Sequence, residues 1–302
     1  MFKVLVTGGT GFLGSRLAEE NVRIGNQVEV WDLCERETSK YPIYGIDMND
    51  EKLMTERLRA FQPDIIFHCA GSADVRVSVE NPKLDFERNV CITHNLLFGL
   101  HKLNMHNTRL IFLSSAAVYG NPISLPIKEN MEINPLSPYA LHKAMCEHIC
   151  TYFRKNYSVD ARIARIFSAY GAGLKKQIFW DMYQKINKTS ELNMFGTGRE
   201  SRDYIHVDDV VQALNLIANQ KKSDWYIYNV ANGEETQIRQ VAELFARCAE
   251  ISEDKIHFDG NVREGDPLNW CADITRLKSL GYHKSISIHT GVSDYYKWVS
   301  KQ

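Results

Sequence analysis

The sequence is notable first for what it lacks. Its 302 residues carry a formal net charge of -1, so no global field favours nucleic acid or an anionic membrane. No apolar run approaches the roughly 20 residues that a membrane-spanning helix needs. There is no internal repeat, no low-complexity tract and no Pro/Gly/Ser-rich linker, and the whole chain holds only 8 prolines. The seven cysteines, Cys34, Cys69, Cys91, Cys146, Cys150, Cys248 and Cys271, form no C-x-x-C pair and are odd in number. They read as reduced thiols rather than a disulfide framework or a zinc site, and no metal is expected. Cys146 and Cys150 share a helical face, which suits core packing better than a two-ligand site. A strand-like run from Met1 to Thr7 opens the sequence and leaves no room for a signal peptide ahead of it, so a cytoplasmic protein is expected.

What is present is an ordinary globular composition, 44% hydrophobic and 24% charged. Phe2 to Val6, Val28 to Trp31, Ile65 to Cys69 and Leu110 to Leu113 are nearly continuous apolar runs, as parallel strands buried on both faces require. Amphipathic helical patterns lie between them, at about Leu13 to Ile24, Leu53 to Phe61 and Leu84 to Leu103. A further helix from about Pro138 to Arg154 precedes a strand from Ala161 to Phe167. This rhythm predicts an α/β fold, a Rossmann-like doubly wound parallel sheet. After about Tyr170 the rhythm loosens into turn-rich stretches such as Phe195 to Gly198 and Asp259 to Asn261. The expected division is a dinucleotide-binding domain over residues 1–170 and a smaller mixed α/β substrate domain over residues 171–302, interleaved with the first.

The first strand-to-helix turn reads Thr7-Gly8-Gly9-Thr10-Gly11-Phe12-Leu13-Gly14. Glycines at this spacing allow a tight turn, close backbone approach to a pyrophosphate and close helix-on-strand packing. The anion then meets free N–H groups at a helix N-terminus. Asp32, 18 residues after Gly14 (32 − 14), ends the second strand. A carboxylate there accepts from the adenosine ribose hydroxyls and repels a 2′-phosphate, which favours NAD over NADP; Arg36 nearby is the dissenting feature.

Tyr139 and Lys143 stand four residues apart on one helical face, behind Ser137 as a cap and Pro138 as a first residue. Ser114 and Ser115 end the preceding strand, at the edge where open α/β sheets bind ligands.

With these motifs in hand, the chain resembles the extended short-chain dehydrogenase/reductase family, in its NAD-dependent sugar-nucleotide epimerase/dehydratase branch. The likeness covers nearly the whole sequence. It rests on Gly8-x-x-Gly11-x-x-Gly14, His68 to Gly71, Ser114 to Gly120, Tyr139-x-x-x-Lys143, Arg202 to Val207 and Arg263 to Asp266. The resemblance implies Tyr139 as general acid/base, Lys143 as its electrostatic partner and holder of the nicotinamide ribose, and Ser115 as the hydrogen-bonding group at the reacting oxygen. A free phenol titrates near about 10, so acid–base work at neutral pH calls for positive charge close by.

The resemblance further implies Asp47 and Met48 beside the adenine. It lines the cofactor cleft with Gly8, Gly11, Phe12, Leu13, Gly14, Cys69, Ala70, Asn89, Ile166 and Phe167. For several of these, strand-end packing is the competing reading, and Asn89 could equally be a buried helix polar group. At the substrate end, Arg202 and Arg263 match diphosphate-holding positions. Asp266 would bind the nucleotide ribose or orient Arg263. His206 reads as structural. Three departures stand out. Ser168 replaces a customary asparagine, and Ala116 and Ala117 replace the Asp-Glu pair of 4,6-dehydratases. Trp270 falls where relatives set the size of the sugar pocket. The implied activity is 4-epimerisation of a nucleoside-diphosphate sugar through a 4-keto intermediate. The alternatives are a 4-ketoreductase or C4 dehydrogenase of deoxysugar or polysaccharide biosynthesis and, in another class, a non-catalytic NAD-sensing protein. The same resemblance implies a homodimer, with no nucleic-acid or membrane partner.

Overall fold

A computed structural model describes residues 1–35, 40–220, 225–261 and 268–302. Among them, seven strands form one parallel sheet in the order β11-β6-β5-β4-β1-β2-β3. These are β1 (Lys3–Thr7), β2 (Gln27–Asp32), β3 (Ile43–Gly45), β4 (Ile65–His68), β5 (Arg109–Ser115), β6 (Asp160–Ile166) and β11 (Ile227–Val230). Short pairs β7 (Ser168–Tyr170) with β10 (Tyr204–His206), β8 (Leu192–Met194) with β13 (Ile256–Phe258), and β9 (Ser201–Arg202) with β12 (Thr236–Gln237) lie outside it. The helices are α1 (Phe12–Arg23), α2 (Glu51–Phe61), α3 (Val75–Glu80), α4 (Pro82–Phe86), α5 (Ile92–Lys102), α6 (Pro138–Tyr157), α7 (Gln177–Thr189), α8 (Val207–Asn219), α9 (Ile238–Cys248), α10 (Thr275–Lys278) and α11 (Ile288–Val299).

Alternation along β1 shows how the sheet is clothed. Val4 and Val6 point into a core shared with Leu17 of α1 and Val210 and Leu214 of α8. Leu5 points the other way, among Met54 and Leu58 of α2, Leu97 of α5 and Cys146 of α6. Both faces are covered, as an all-parallel sheet requires. Cys146 and Cys150 are core side chains on the second face, fully buried. A third core gathers Tyr170, Phe179, Phe245 and Tyr295 from β7, α7, α9 and α11.

Two features depart from the pattern read in the sequence. The helix expected from Leu84 to Leu103 is α4 and α5 joined by a π-helical turn, Glu87–Cys91. The extra residue in that turn rotates Asn89 relative to a regular α-helix, and such bulges gather at functional sites. The last strand of the main sheet, β11, comes from far downstream and pairs with β6 through Ile227 to Val230.

The order places a reversal between β1 and β4, which pair in register from Val4↔Ile65 to Thr7↔His68. Chain directions diverge there, opening a crevice at the carboxyl ends of the strands.

Candidate active site

The crevice is walled by the first strand-to-helix turn. Gly8 adopts φ +65°, and a Cβ placed on it would lie 2.6 Å from the backbone nitrogen of Ala70. At Gly14 a Cβ would collide with the Gly8 carbonyl oxygen and stand 2.7 Å from the Gly9 Cα. Only glycine fits either place. Gly11 is the N-cap of α1 and has no side chain to accept from the first-turn amides, which leaves those N–H groups for an anion. Phe12 packs toward Gly173 and the third core, while Leu13 packs into the first.

Asp32 ends β2 beside this turn. Its Oδ2 accepts from the Thr10 amide at 3.0 Å and the Thr10 hydroxyl at 2.6 Å, and its Oδ1 from the Leu33 amide at 2.8 Å. A carboxylate has about four acceptor positions, so among the described residues one on Oδ1 is left for a ribose hydroxyl. Arg36 lies outside the described residues. After β3, Asp47 is exposed and accepts from the Asn49 amide, while Met48 is buried with its carbonyl held by Asn95 Nδ2 at 3.1 Å.

Across the crevice, Cys69 and Ala70 are half-buried at the end of β4. Burial pushes the Cys69 thiol up to about 12, outweighing the Lys143 charge, so it stays neutral. Asn89 is 1% exposed; its Nδ2 donates to the Asp85 carbonyl, but its Oδ1 has no partner among the described residues and points at Gly71. A buried acceptor without a donor fits a cofactor group. The glycine cradle, the spare Asp32 oxygen and this orphaned oxygen together suit a dinucleotide.

Sequence reasoning missed the polar chain beneath. Thr93 Oγ1 donates to the Asn89 carbonyl at 2.7 Å, so it accepts from His68 Nε2–H at 3.1 Å. His68 Nδ1 is then the acceptor for the Thr7 hydroxyl at 2.7 Å, whose oxygen takes the Ala70 amide at 3.3 Å. This neutral tautomer satisfies every member. Its one signal was a polar residue closing an apolar strand.

Burial, then the nearby Lys143 charge, lowers the His68 pKa from the usual 6.5 to about 3. The unfolded chain binds the extra proton first. The stabilisation is therefore complete above about pH 6.5 and is lost as pH falls toward 3, by about 1.4 kcal/mol per pH unit at most. Thermal unfolding of the wild type and His68→Gln between pH 7 and 4 should show a shallower acid slope in the variant. Equal slopes would rule the account out.

Ser115 ends β5 and accepts from the Ala117 amide at 3.2 Å, capping the 3-10 turn Ala116–Tyr119. Ser137 caps α6 through the Ala140 amide, with Pro138 in the first turn. Tyr139, 9% exposed, is fixed at its backbone nitrogen by Ser78 Oγ at 3.1 Å. One turn on, Lys143 is 7% exposed; its Nζ donates to the Leu113 carbonyl at 3.0 Å and lies 5.9 Å from the Tyr139 ring centre. A buried ammonium thus stands beside the phenol at the carboxyl edge of β5.

Ile166 and Phe167 are buried at the end of β6, and Phe167 N donates to the Val230 carbonyl at 3.0 Å. Ser168 is half-buried and opens β7. Arg202, on β9, donates through Nη1 to the Ser201 carbonyl at 2.8 Å. Trp270 is pinned by Nε1 to the Gly120 carbonyl at 3.1 Å, meets Phe167 edge-on at 6.0 Å and faces the Arg202 guanidinium at 5.4 Å. His206 caps α8 at the Asp208 amide, a structural role. Arg263 and Asp266 lie outside the described residues.

The family described as NAD dependent epimerase/dehydratase matches residues 4–231. A putative UDP-glucose 4-epimerase of Methanocaldococcus jannaschii is 32% identical, over 98% of both chains. The crystal structure of UDP-glucose 4-epimerase with UDP-glucose from Thermotoga maritima superposes with a TM-score of 0.89 at 26% identity, covering 99% of each chain. That of the Thermus thermophilus UDP-glucose 4-epimerase in complex with NAD gives 0.88 at 27% identity, again over 99% of each.

Proposed function

The chain belongs to the NAD-dependent epimerase/dehydratase family, and from that footing we propose that it is a 4-epimerase of a uridine-diphosphate sugar, working through a 4-keto intermediate. The observation that carries this reading is the Tyr139 and Lys143 pair, buried one helical turn apart with the ammonium anchored on Leu113 O. NAD, when bound, supplies a reversible two-electron acceptor for the C4 hydrogen. The protein does the rest. Gly8, Gly11, Phe12, Leu13 and Gly14 hold the pyrophosphate, and Asp32 the adenosine ribose. Asp47 and Met48 flank the adenine, while Cys69, Ala70, Asn89, Ile166 and Phe167 line the nicotinamide side.

Tyr139 takes the C4 hydroxyl proton and later returns it to the ketone oxygen. Lys143 sets its charge 5.9 Å from the Tyr139 ring centre, and Ser115 orients the reacting oxygen through its hydroxyl. Arg202 and Arg263 hold the diphosphate, a task suited to guanidinium forks. Ser168 and Asp266 complete the substrate side. Holding the nucleotide while the keto sugar turns lets both faces of C4 be presented in succession. Residues 1–170 carry cofactor and catalysis, and residues 171–302 carry most of the substrate contacts.

Among the described residues no helix is long and apolar enough to cross a membrane. We place the protein in the cytoplasm, where its cysteines stay reduced. Exposed Phe98, Leu141 and Tyr152 on α5 and α6 support a homodimer through those helices. Light scattering should give the mass of two chains; one chain would refute it.

The reading is tested by incubating purified protein with UDP-glucose, UDP-glucuronate and their N-acetylated counterparts without added coenzyme. Formation of a C4 epimer, with NAD released on denaturation, is expected. Turnover that consumes stoichiometric NADH or NAD would make it a reductase or dehydrogenase instead.

A further inference from the structure

Behind the proposed site lies a buried charged cluster that the reaction does not use directly. The Glu147 and Arg165 side chains are 4% and 2% exposed. Arg165 Nη2 donates to Glu147 Oε2 at 2.6 Å, and Nε to Oε1 at 2.9 Å. Ser114 Oγ donates to the same Oε1 at 2.6 Å. The remaining guanidinium nitrogen, Nη1, donates to the Tyr119 hydroxyl at 2.8 Å and the Glu129 carbonyl at 3.0 Å. Tyr119 in turn donates to Asn229 Oδ1 at 2.7 Å.

Ser114, Glu147, Arg165 and Tyr119 each adjoin a residue or turn of the proposed site. Ser114 precedes Ser115 on β5, and successive strand residues face opposite ways, so one meets the cluster while the other meets the site. Glu147 follows Lys143 by one turn of α6. Arg165 precedes Ile166 on β6, and Tyr119 closes the turn that Ser115 caps. One carboxylate therefore ties α6 to β5 and β6 together.

We propose that Glu147 and Arg165 are positioning residues that hold Ser115, Tyr139 and Lys143 in a common register. Stability alone does not account for such a pair. Desolvating both charges offsets much of their attraction, and apolar residues of similar volume commonly do as well. Apolar packing does not, however, fix the rise and rotation of a helix against two strands as a directional fork does. Reaction geometry is sensitive on that scale, since a displacement of about 1 Å can cost about 100-fold in rate.

The inference rests on the 4-epimerase reading, so the wild type is assayed first; a wild type that epimerises no sugar would count against that reading, not against the cluster. The test is the double variant Glu147→Met/Arg165→Met, measured as holoenzyme. We expect a modest fall in Tm, because Ser114 Oγ, the Tyr119 hydroxyl and the Glu129 carbonyl lose partners, with KM and bound NAD retained and kcat per bound NAD lower by about 30- to 100-fold. A kcat within about threefold of wild type overturns the proposal, as does a loss of kcat that merely follows loss of Tm and cofactor. Ser114→Ala keeps the ion pair and removes one anchor, and it decides the matter should the double variant not fold. It should lower kcat by about fivefold with Tm and KM unchanged; unchanged kcat would contradict the positioning role.

Discussion

Replacing Tyr139 with phenylalanine is expected to lower kcat by about a thousandfold, the middle of the range for a lost general acid/base. The change removes one oxygen and little else. The ring is packed at 9% exposure, and its backbone is fixed by Ser78 Oγ at 3.1 Å, a contact the substitution leaves in place. Lys143 keeps its bond to Leu113 O. Cofactor content and KM should therefore stay close to wild type while kcat collapses, the signature of a group acting in the transition state. Steady-state kinetics with cofactor quantified per chain checks this. Turnover within tenfold of wild type would remove Tyr139 from its role.

Gly14→Ala should act earlier, on cofactor binding. The added Cβ meets the Gly8 carbonyl oxygen and the Gly9 Cα, both backbone atoms of the turn, so relief requires the turn itself to move. Overpacking of this kind costs about 1–3 kcal/mol. Because the displaced backbone is what cradles the pyrophosphate, the cost should appear as NAD affinity weakened by about 10- to 100-fold. The variant should purify largely without NAD and regain partial activity when it is added. Full retention of tightly bound NAD would show that the turn has room to spare.

The first half of the fold was legible because its physics is local. A strand buried on both faces is an apolar run, and β1, β2, β4 and β5 all announce themselves that way. Tyr139 and Lys143 were legible from spacing plus the Ser137-Pro138 start. The π-helical turn at Glu87–Cys91 was not, because one extra residue disappears within a window of 20. Nor was the pairing of β11 with β6, a contact between segments some 60 residues apart whose own pattern names no partner. The site's supports were hidden for a related reason. Thr7, His68 and Thr93 look like stray polar residues until three elements converge, and the three anchors of Trp270 come from Gly120, Phe167 and Arg202. Spacing reveals neighbours on one element, not partners across several.

In the proposed 4-epimerisation, hydrogen leaves C4 of a UDP sugar and returns to the same carbon within one protein molecule. The direct measurement is epimerisation of a UDP sugar deuterated at C4, with the product read by mass spectrometry and NMR. Inversion at C4 is expected, with the deuterium still on C4 and none in solvent. Loss of the label to water, or its release on free coenzyme, would contradict it.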